Sequence, residues 1–198
     1  VSQFRPVIAK WIYHLLKPRV RILDISAGWG GRLLAAMSMG IPYYGIDANT
    51  RLEASYRRMI EACEPTATRS QVQMVFKPSE EIDFGRLPPY DLIFTSPPYF
   101  MIEVYQGMPA YGTKQAFLNE FFVPVIQRAW DHLQSGGHMA LNMPEEMYDA
   151  VAPLLPRLKR RLEMPISNRH PTNAVKQQGL GEEDKKRAEW IYVWHKRK

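Results

Sequence analysis

The residues best equipped for chemistry are Ser96-Pro97-Pro98-Tyr99, which close the apolar run Leu92-Ile93-Phe94. Two successive prolines can continue neither strand nor helix, and their fixed φ angles stiffen the backbone beyond Ser96. A hydroxyl, a row of carbonyls outside any ladder and an aromatic ring are thereby set together at a strand tip. Such a loop can accept hydrogen bonds from a flat, amino-bearing ring while Tyr99 stacks on its face. The other reading of the same residues is a rigid strand-ending turn with a packed tyrosine.

A second constellation lies upstream. Ile22-Leu23-Asp24-Ile25-Ser26-Ala27-Gly28-Trp29-Gly30-Gly31-Arg32 joins a strand to a helix through small residues. Glycines there let the backbone approach a ligand and expose N–H groups. Asp24 stands where a carboxylate can face a cation. Neither the spacing G-x-G-x-x-G nor a G-x-x-x-x-G-K-S/T loop is present. Asp47 ends the next strand, about 20 residues after the turn, where an acid can bind ribose hydroxyls in nucleotide-binding α/β folds. It is equally placed to cap a helix beginning near Asn49. Taken with Asp24 and the glycines, it indicates a site for a nucleoside-bearing cofactor.

The elements that must hold these residues alternate short apolar runs with longer amphipathic ones, the pattern of an α/β domain with a largely parallel sheet. Helices are expected over Phe4–Leu16, Arg32–Met39, Arg51–Cys63, Phe117–Leu133 and Glu145–Leu162. Strands are expected over Val20–Ile25, Tyr43–Asp47, Val72–Phe76, Asp91–Thr95 and His138–Asn142, with a final strand Trp190–Trp194 paired to Glu163–Ser167. Pro18 should stop the first helix, Gly40 and Pro42 the second, and Gly136-Gly137 the one before the fifth strand. Met101–Gln115 and Asn168–Ala188 are long polar segments without a clear element, the second carrying Arg169, Lys176, Lys185, Lys186 and Arg187. Loops of that length in a compact domain are usually functional or disordered.

At 198 residues the chain fits one domain, 1–198, with a substantial core. No apolar stretch reaches the length of a membrane span, and no secretory signal opens the sequence. Its first residue is Val1, which suits a piece of a longer protein. Cys63, the single cysteine, excludes an internal disulfide and a multi-cysteine metal site, and points to a reducing, cytoplasm-like compartment. It reads best as a packing residue. The five histidines show no metal-ligand spacing, so no metal is expected. A net charge of +6 favours an acidic partner, of which nucleic acid is the commonest.

With both constellations in view, the sequence resembles a known family. Ser96–Tyr99 matches the S/N/D-P-P-Y/F signature of methyltransferases that modify exocyclic amino groups, above all adenine N6 and cytosine N4 of DNA. Phe4-Arg5-Pro6, LDISAGWGGRLLAA, YYGIDANTRL and TSPPYF follow in the order of small DNA methylases of phage and virus type, whose cofactor motif runs A-G-W-G-G-R. The resemblance extends from Phe4 to the final W-I-Y-V-W-H-K segment. It implies a Rossmann-like class I methyltransferase fold with a mostly parallel seven-stranded sheet, and S-adenosylmethionine as cofactor. Asp24, Ser26, Ala27 and Gly28 would line the methionine and ribose side. Asp47 would hold the ribose hydroxyls with Ala48 beside the adenine, and Ser79 and Glu80 would meet the adenine amino group, Glu81 and Asp83 being nearby alternatives. Phe4, Arg5 and Pro6 would form the segment that closes over the methionine. Trp29 and Arg32 are open between site roles and plain packing or surface roles.

In such an enzyme the target N–H groups would donate to the Ser96 hydroxyl and the Pro97 carbonyl, turning the nitrogen lone pair toward the sulfonium methyl. Position and preorganised acceptors matter more here than a strong base. In duplex DNA the base must first leave the helix. Phe100, Tyr105 and Lys114, with Tyr111 nearby, are the candidates for holding the target, and Arg157, Lys159, Arg160 and Arg161 for a phosphate-binding strip on the late helix. Serine before Pro-Pro-Tyr suits cytosine N4 and leaves adenine N6 open. No separate target-recognition region is evident, so specificity would come from the two long loops, a partner subunit or a further portion of the protein. The alternatives are RNA methylation, protein-glutamine methylation (where Asn normally precedes Pro-Pro-Tyr) and a non-catalytic subunit that binds cofactor or nucleic acid.

Overall fold

The computed structural model describes residues 4–63, 71–99, 110–164 and 190–197. Among them, strands β1 (Ile22–Asp24), β2 (Tyr43–Asp47), β3 (Val72–Phe76), β4 (Leu92–Thr95), β5 (His138–Met143), β6 (Arg160–Glu163) and β7 (Trp190–His195) form one sheet in the order β3-β2-β1-β4-β5-β7-β6. β7 is antiparallel to both its neighbours, and every other pairing is parallel. This is the sheet the resemblance implies. All of β1 and β4 is buried, as expected of strands covered by helices on both faces.

Helices α1 (Pro6–Leu16), α2 (Gly31–Ser38) and α3 (Glu53–Ala62) supply one apolar layer, in which Ile8, Ile12, Leu33, Ala36 and Tyr56 pack with Ile22 and Phe94. Cys63, just past α3, packs on the same layer. The other face is covered by α5 (Val123–His132) and α6 (Glu145–Val151), through Val125, Ile126, Met147 and Val151 against Leu23, Ile93 and Leu141.

The chain order reverses at β1, which lies between β2 and β4. Open α/β sheets bind ligands in the crevice beyond the carboxyl ends of their strands at such a point. Asp24, Asp47 and Thr95 end β1, β2 and β4 there, and Asn142 comes one residue before the end of β5.

β2 and β3 have the expected bounds, and most other elements differ by a residue or two. The helix expected over Phe117–Leu133 is a composite: α4 (Lys114–Ala116), a π-helical turn Phe117–Phe122, then α5. Within it the Val123 N–H reaches back five residues to Leu118 O. The widened turn directly precedes Pro124, which has no N–H for the carbonyl four residues back.

The late helix needs a correction. It does not run from Glu145 to Leu162: α6 stops at Val151, a 3-10 turn covers Ala152–Leu154, and Leu155 is already extended. Pro156 disfavours the helical conformation at the preceding residue. The partner of β7 is therefore Arg160–Glu163 rather than Glu163–Ser167. Arg160 and Arg161 lie on this edge strand, with Arg157 and Lys159 in the extended segment before it. None of the four is on a helix. The Arg161 guanidinium lies 3.9 Å from the Trp190 ring centre, which gives this polar strand a face to pack.

At the opposite end of the sheet from the crevice, His138 stacks on His195 at 4.7 Å and takes the Lys159 ammonium 3.0 Å from Nε2. Burial, reinforced by the positive charge of Lys159, lowers the imidazole pKa to about 4. The unfolded chain would protonate this residue near pH 6.5, so stability should fall as pH drops from about 6.5 to 4 and level off below. Half-buried His138 is partly screened by solvent, so roughly 1 kcal/mol is expected. Urea unfolding at pH 7 and pH 4.5 should show His138→Gln losing about that much less than the wild type; equal losses would remove His138 as the cause.

Candidate active site

The Gly-rich turn is held from below. Asp24 is fully buried and receives the Arg32 Nε at 2.6 Å, the Tyr43 hydroxyl at 2.6 Å and the Ser26 N–H at 3.2 Å. Arg32 on α2 also donates to the Ser26 carbonyl, clamping both ends of the turn. Burial opposes the guanidinium charge, but the adjacent Asp24 carboxylate outweighs it and raises the Arg32 pKa. Burial, with the same carboxylate, raises the Tyr43 hydroxyl, keeping it a donor. The cation that Asp24 faces is thus the chain's own Arg32, which is neither a surface residue nor simple apolar packing.

Above this clamp, Gly28 and Gly30 have φ of +61° and +81°, values side chains rarely tolerate. Asp47 accepts the Gly28 N–H at 2.6 Å and the Asn49 N–H at 2.9 Å. The helical segment that follows is capped by Asn49, whose side chain accepts the Arg51 N–H, and not by Asp47. Burial raises the Asp47 pKa, while the two N–H groups pull it down. Ala27 is buried and its N–H donates to Ile46 O; Ser26, Gly28 and Ala48 remain partly exposed.

Phe4, Arg5 and Pro6 lie across the start of α2. The Phe4 ring packs edge-on against Phe94 at 5.5 Å, with the Arg32 guanidinium 5.1 Å from its centre. The exposed Arg5 accepts the Ile8 N–H, and Pro6 opens α1 without needing a donor. Ser79 is buried and donates to the Ile25 carbonyl, just past the end of β1, at 2.5 Å. Its neighbour Glu80 accepts the Tyr111 hydroxyl at 2.8 Å, and Arg128 holds the Glu80 backbone oxygen. Asp83 caps a 3-10 turn through the Gly85 N–H, and Glu81 is exposed.

Beyond β4, Pro97 and Pro98 are buried and Ser96 and Tyr99 half-buried. The Ser96 hydroxyl donates to Asn142 Oδ1 at 3.1 Å, and the Tyr99 hydroxyl approaches the same oxygen at 3.5 Å. Asn142 in turn donates through Nδ2 to the Trp190 carbonyl at 3.1 Å. Lys114 pairs with Glu146 at the surface. Phe100 and Tyr105 lie outside the described residues, as does the basic segment Asn168–Ala188.

The structure thus gathers Asp47, the glycines, Phe4 and Ser96–Tyr99 at the carboxyl ends of the central strands, and adds Asn142 and, beneath the turn, Tyr43. Asn142 has a trace in sequence: it is the one amide in the buried strand His138–Met143, and buried polar groups need partners.

No protein-family model matches the chain, and no curated protein does. Among solved structures, an rRNA methylase from Streptococcus thermophilus is similar over 100% of both chains, at 14% identity and a TM-score of 0.59. An RNA methyltransferase from Salinibacter ruber, in complex with S-adenosyl-L-homocysteine, aligns over 100% of this chain and 95% of its own, at 12% identity and a TM-score of 0.58. The M protein of the type I restriction enzyme EcoKI aligns over 99% of this chain and 44% of its own, at 15% identity and a TM-score of 0.61. Likeness at these identities speaks to architecture, and with the strand order it shows a Rossmann-like methyltransferase fold.

Proposed function

We propose that the chain transfers a methyl group from S-adenosylmethionine to an exocyclic amino group of a base in DNA, cytosine N4 or adenine N6. The observation carrying this reading is the placement of Ser96–Tyr99 at the end of β4, next to the switch point at which the Gly-rich turn ends β1. The cofactor named in the Salinibacter ruber complex is the product form of that methyl donor.

The residues at the turn fit such a group. The left-handed Gly28 and Gly30 leave backbone without β-carbons beside the Asp47 carboxylate, which is fixed by two N–H bonds. Asp47 would hold the ribose hydroxyls, Ala27 and Gly28 the backbone side, and Phe4–Pro6 the methionine end. Bound there, the cofactor supplies an electrophilic methyl on sulfur. The Ser96 oxygen and the Pro97 carbonyl accept the target N–H groups, so that the amine is oriented rather than deprotonated beforehand. Tyr99 stacks on the base, a contact worth about 1–3 kcal/mol. Residues 1–198 act as one catalytic domain, with sequence recognition supplied by the loops or a partner subunit. Nucleic acid is the partner the net charge of +6 favours.

Transfer of labelled methyl to duplex DNA, single-stranded DNA and RNA, with digestion to nucleosides and mass spectrometry, tests this. N4-methylcytosine or N6-methyladenine in DNA is the expected product. Tyr99→Ala should lower turnover roughly tenfold to a hundredfold with cofactor affinity unchanged, and Asp47→Ala should weaken cofactor binding. Product in RNA alone would move the substrate to RNA. Cofactor binding without transfer to any nucleic acid would make the chain a binding subunit.

A further inference from the structure

The Ser96 hydroxyl has one hydrogen, and the structure shows where it goes. Asn142 is 1% exposed, and its amide orientation follows from Trp190: Nδ2 donates to that backbone carbonyl at 3.1 Å, whereas a flipped amide would set two acceptor oxygens against each other. Oδ1 is thereby fixed toward Ser96, whose hydroxyl must act as donor at 3.1 Å. What Ser96 then offers to a substrate is lone pairs only.

We propose that Asn142 is a positioning residue which makes Ser96 an obligate acceptor and so restricts the site to bases bearing an amino group, rejecting their keto counterparts. The inference rests on the amino-methyltransferase reading above and specifies its substrate class. A cytosine or adenine amino group donates to Ser96. The keto oxygen of uracil or hypoxanthine, of nearly the same shape, meets a lone pair instead. A serine hydroxyl without this restraint would rotate and serve either partner, so the part of the selectivity that Ser96 carries is set from β5 and adds to that of the Pro97 carbonyl, which is an acceptor in any case. Asn142 touches no substrate in this scheme and acts through Ser96.

Equilibrium binding separates the outcomes without any turnover. The full chain, loaded with S-adenosylhomocysteine, is titrated by fluorescence anisotropy with single-stranded DNA carrying one cytosine, uracil, adenine or hypoxanthine between abasic sites. The wild type should prefer an amino base to its keto counterpart roughly tenfold or more. Asn142→Ala should lower that ratio severalfold, leaving what the Pro97 carbonyl contributes, with the S-adenosylhomocysteine affinity unchanged, and should have no effect on it in a Ser96→Ala background. Asn142→Ser, too short to reach Ser96 but polar beneath the Trp190 carbonyl, gives the same readout if the alanine variant does not fold. An undiminished preference in a folded Asn142 variant overturns the inference and leaves the amino-methyltransferase reading standing. No preference in the wild type also overturns the inference, whereas the amino-methyltransferase reading falls only if the transfer assay yields no methylated amino base.

Discussion

Arg32→Met should cost about 3–5 kcal/mol of folding stability, because it leaves the fully buried Asp24 carboxylate without its cation. The Tyr43 hydroxyl and the Ser26 N–H still reach Asp24, but two neutral donors do not replace a paired charge. Adding Asp24→Asn to Arg32→Met removes the charge while keeping an oxygen for those donors, and should recover half or more of the loss. Urea unfolding of the two single variants and the double variant gives the answer. A loss under about 1 kcal/mol in Arg32→Met would mean that the pair is not what supports the turn. The Ser26 carbonyl also loses its donor in this variant, so cofactor affinity should fall even where the protein remains folded. Asp24 matters to the turn as its foundation, through its bonds to Arg32, Tyr43 and the Ser26 N–H.

The same pair shows how far the sequence could be read. An acid at the end of a buried strand before a Gly-rich turn marks the place, and the strand order confirms that it is the switch point. The direction of the side chain is not encoded locally. It is decided by Arg32 eight residues on and Tyr43 on the adjacent strand. The Ser79 hydroxyl is another case, since the carbonyl that it bonds belongs to Ile25, 54 positions away in sequence. Tyr43–Asp47 and Val72–Phe76 were legible because parallel strands read as short apolar runs between turn signals. Arg160–Glu163 was not, because an exposed edge strand shows no such run. The Trp190 ring that gives it a packing face is brought in by a distant segment. Asn142 belongs with these: its type was visible, but its bonds to Ser96 and Trp190 exist only in three dimensions.

Gly31→Ala should be the most damaging glycine substitution at the site, costing about 3 kcal/mol. A β-carbon on Gly31 would collide with the Phe4 carbonyl oxygen, with Pro6 Cδ also close at 3.8 Å. The obstacle is backbone, so no side-chain rotation relieves it: either α2 shifts or the segment Phe4–Pro6 lifts away. Lifting that segment separates Phe4 from Phe94 and from the Arg32 guanidinium, and withdraws the residues assigned to the methionine end of the cofactor. Cofactor affinity should therefore fall together with stability. Gly112→Ala is the control, since nothing lies within 4 Å of its β-position, and it should change stability by no more than about 0.5 kcal/mol. The cause can be isolated by removing residues 1–5. In the shortened chain the carbonyl is gone, so Gly31→Ala should be nearly harmless there, a non-additivity that independent sites do not show. An equal penalty in the full and shortened chains would place the clash elsewhere. Affinity intact in both would detach Phe4–Pro6 from the cofactor altogether.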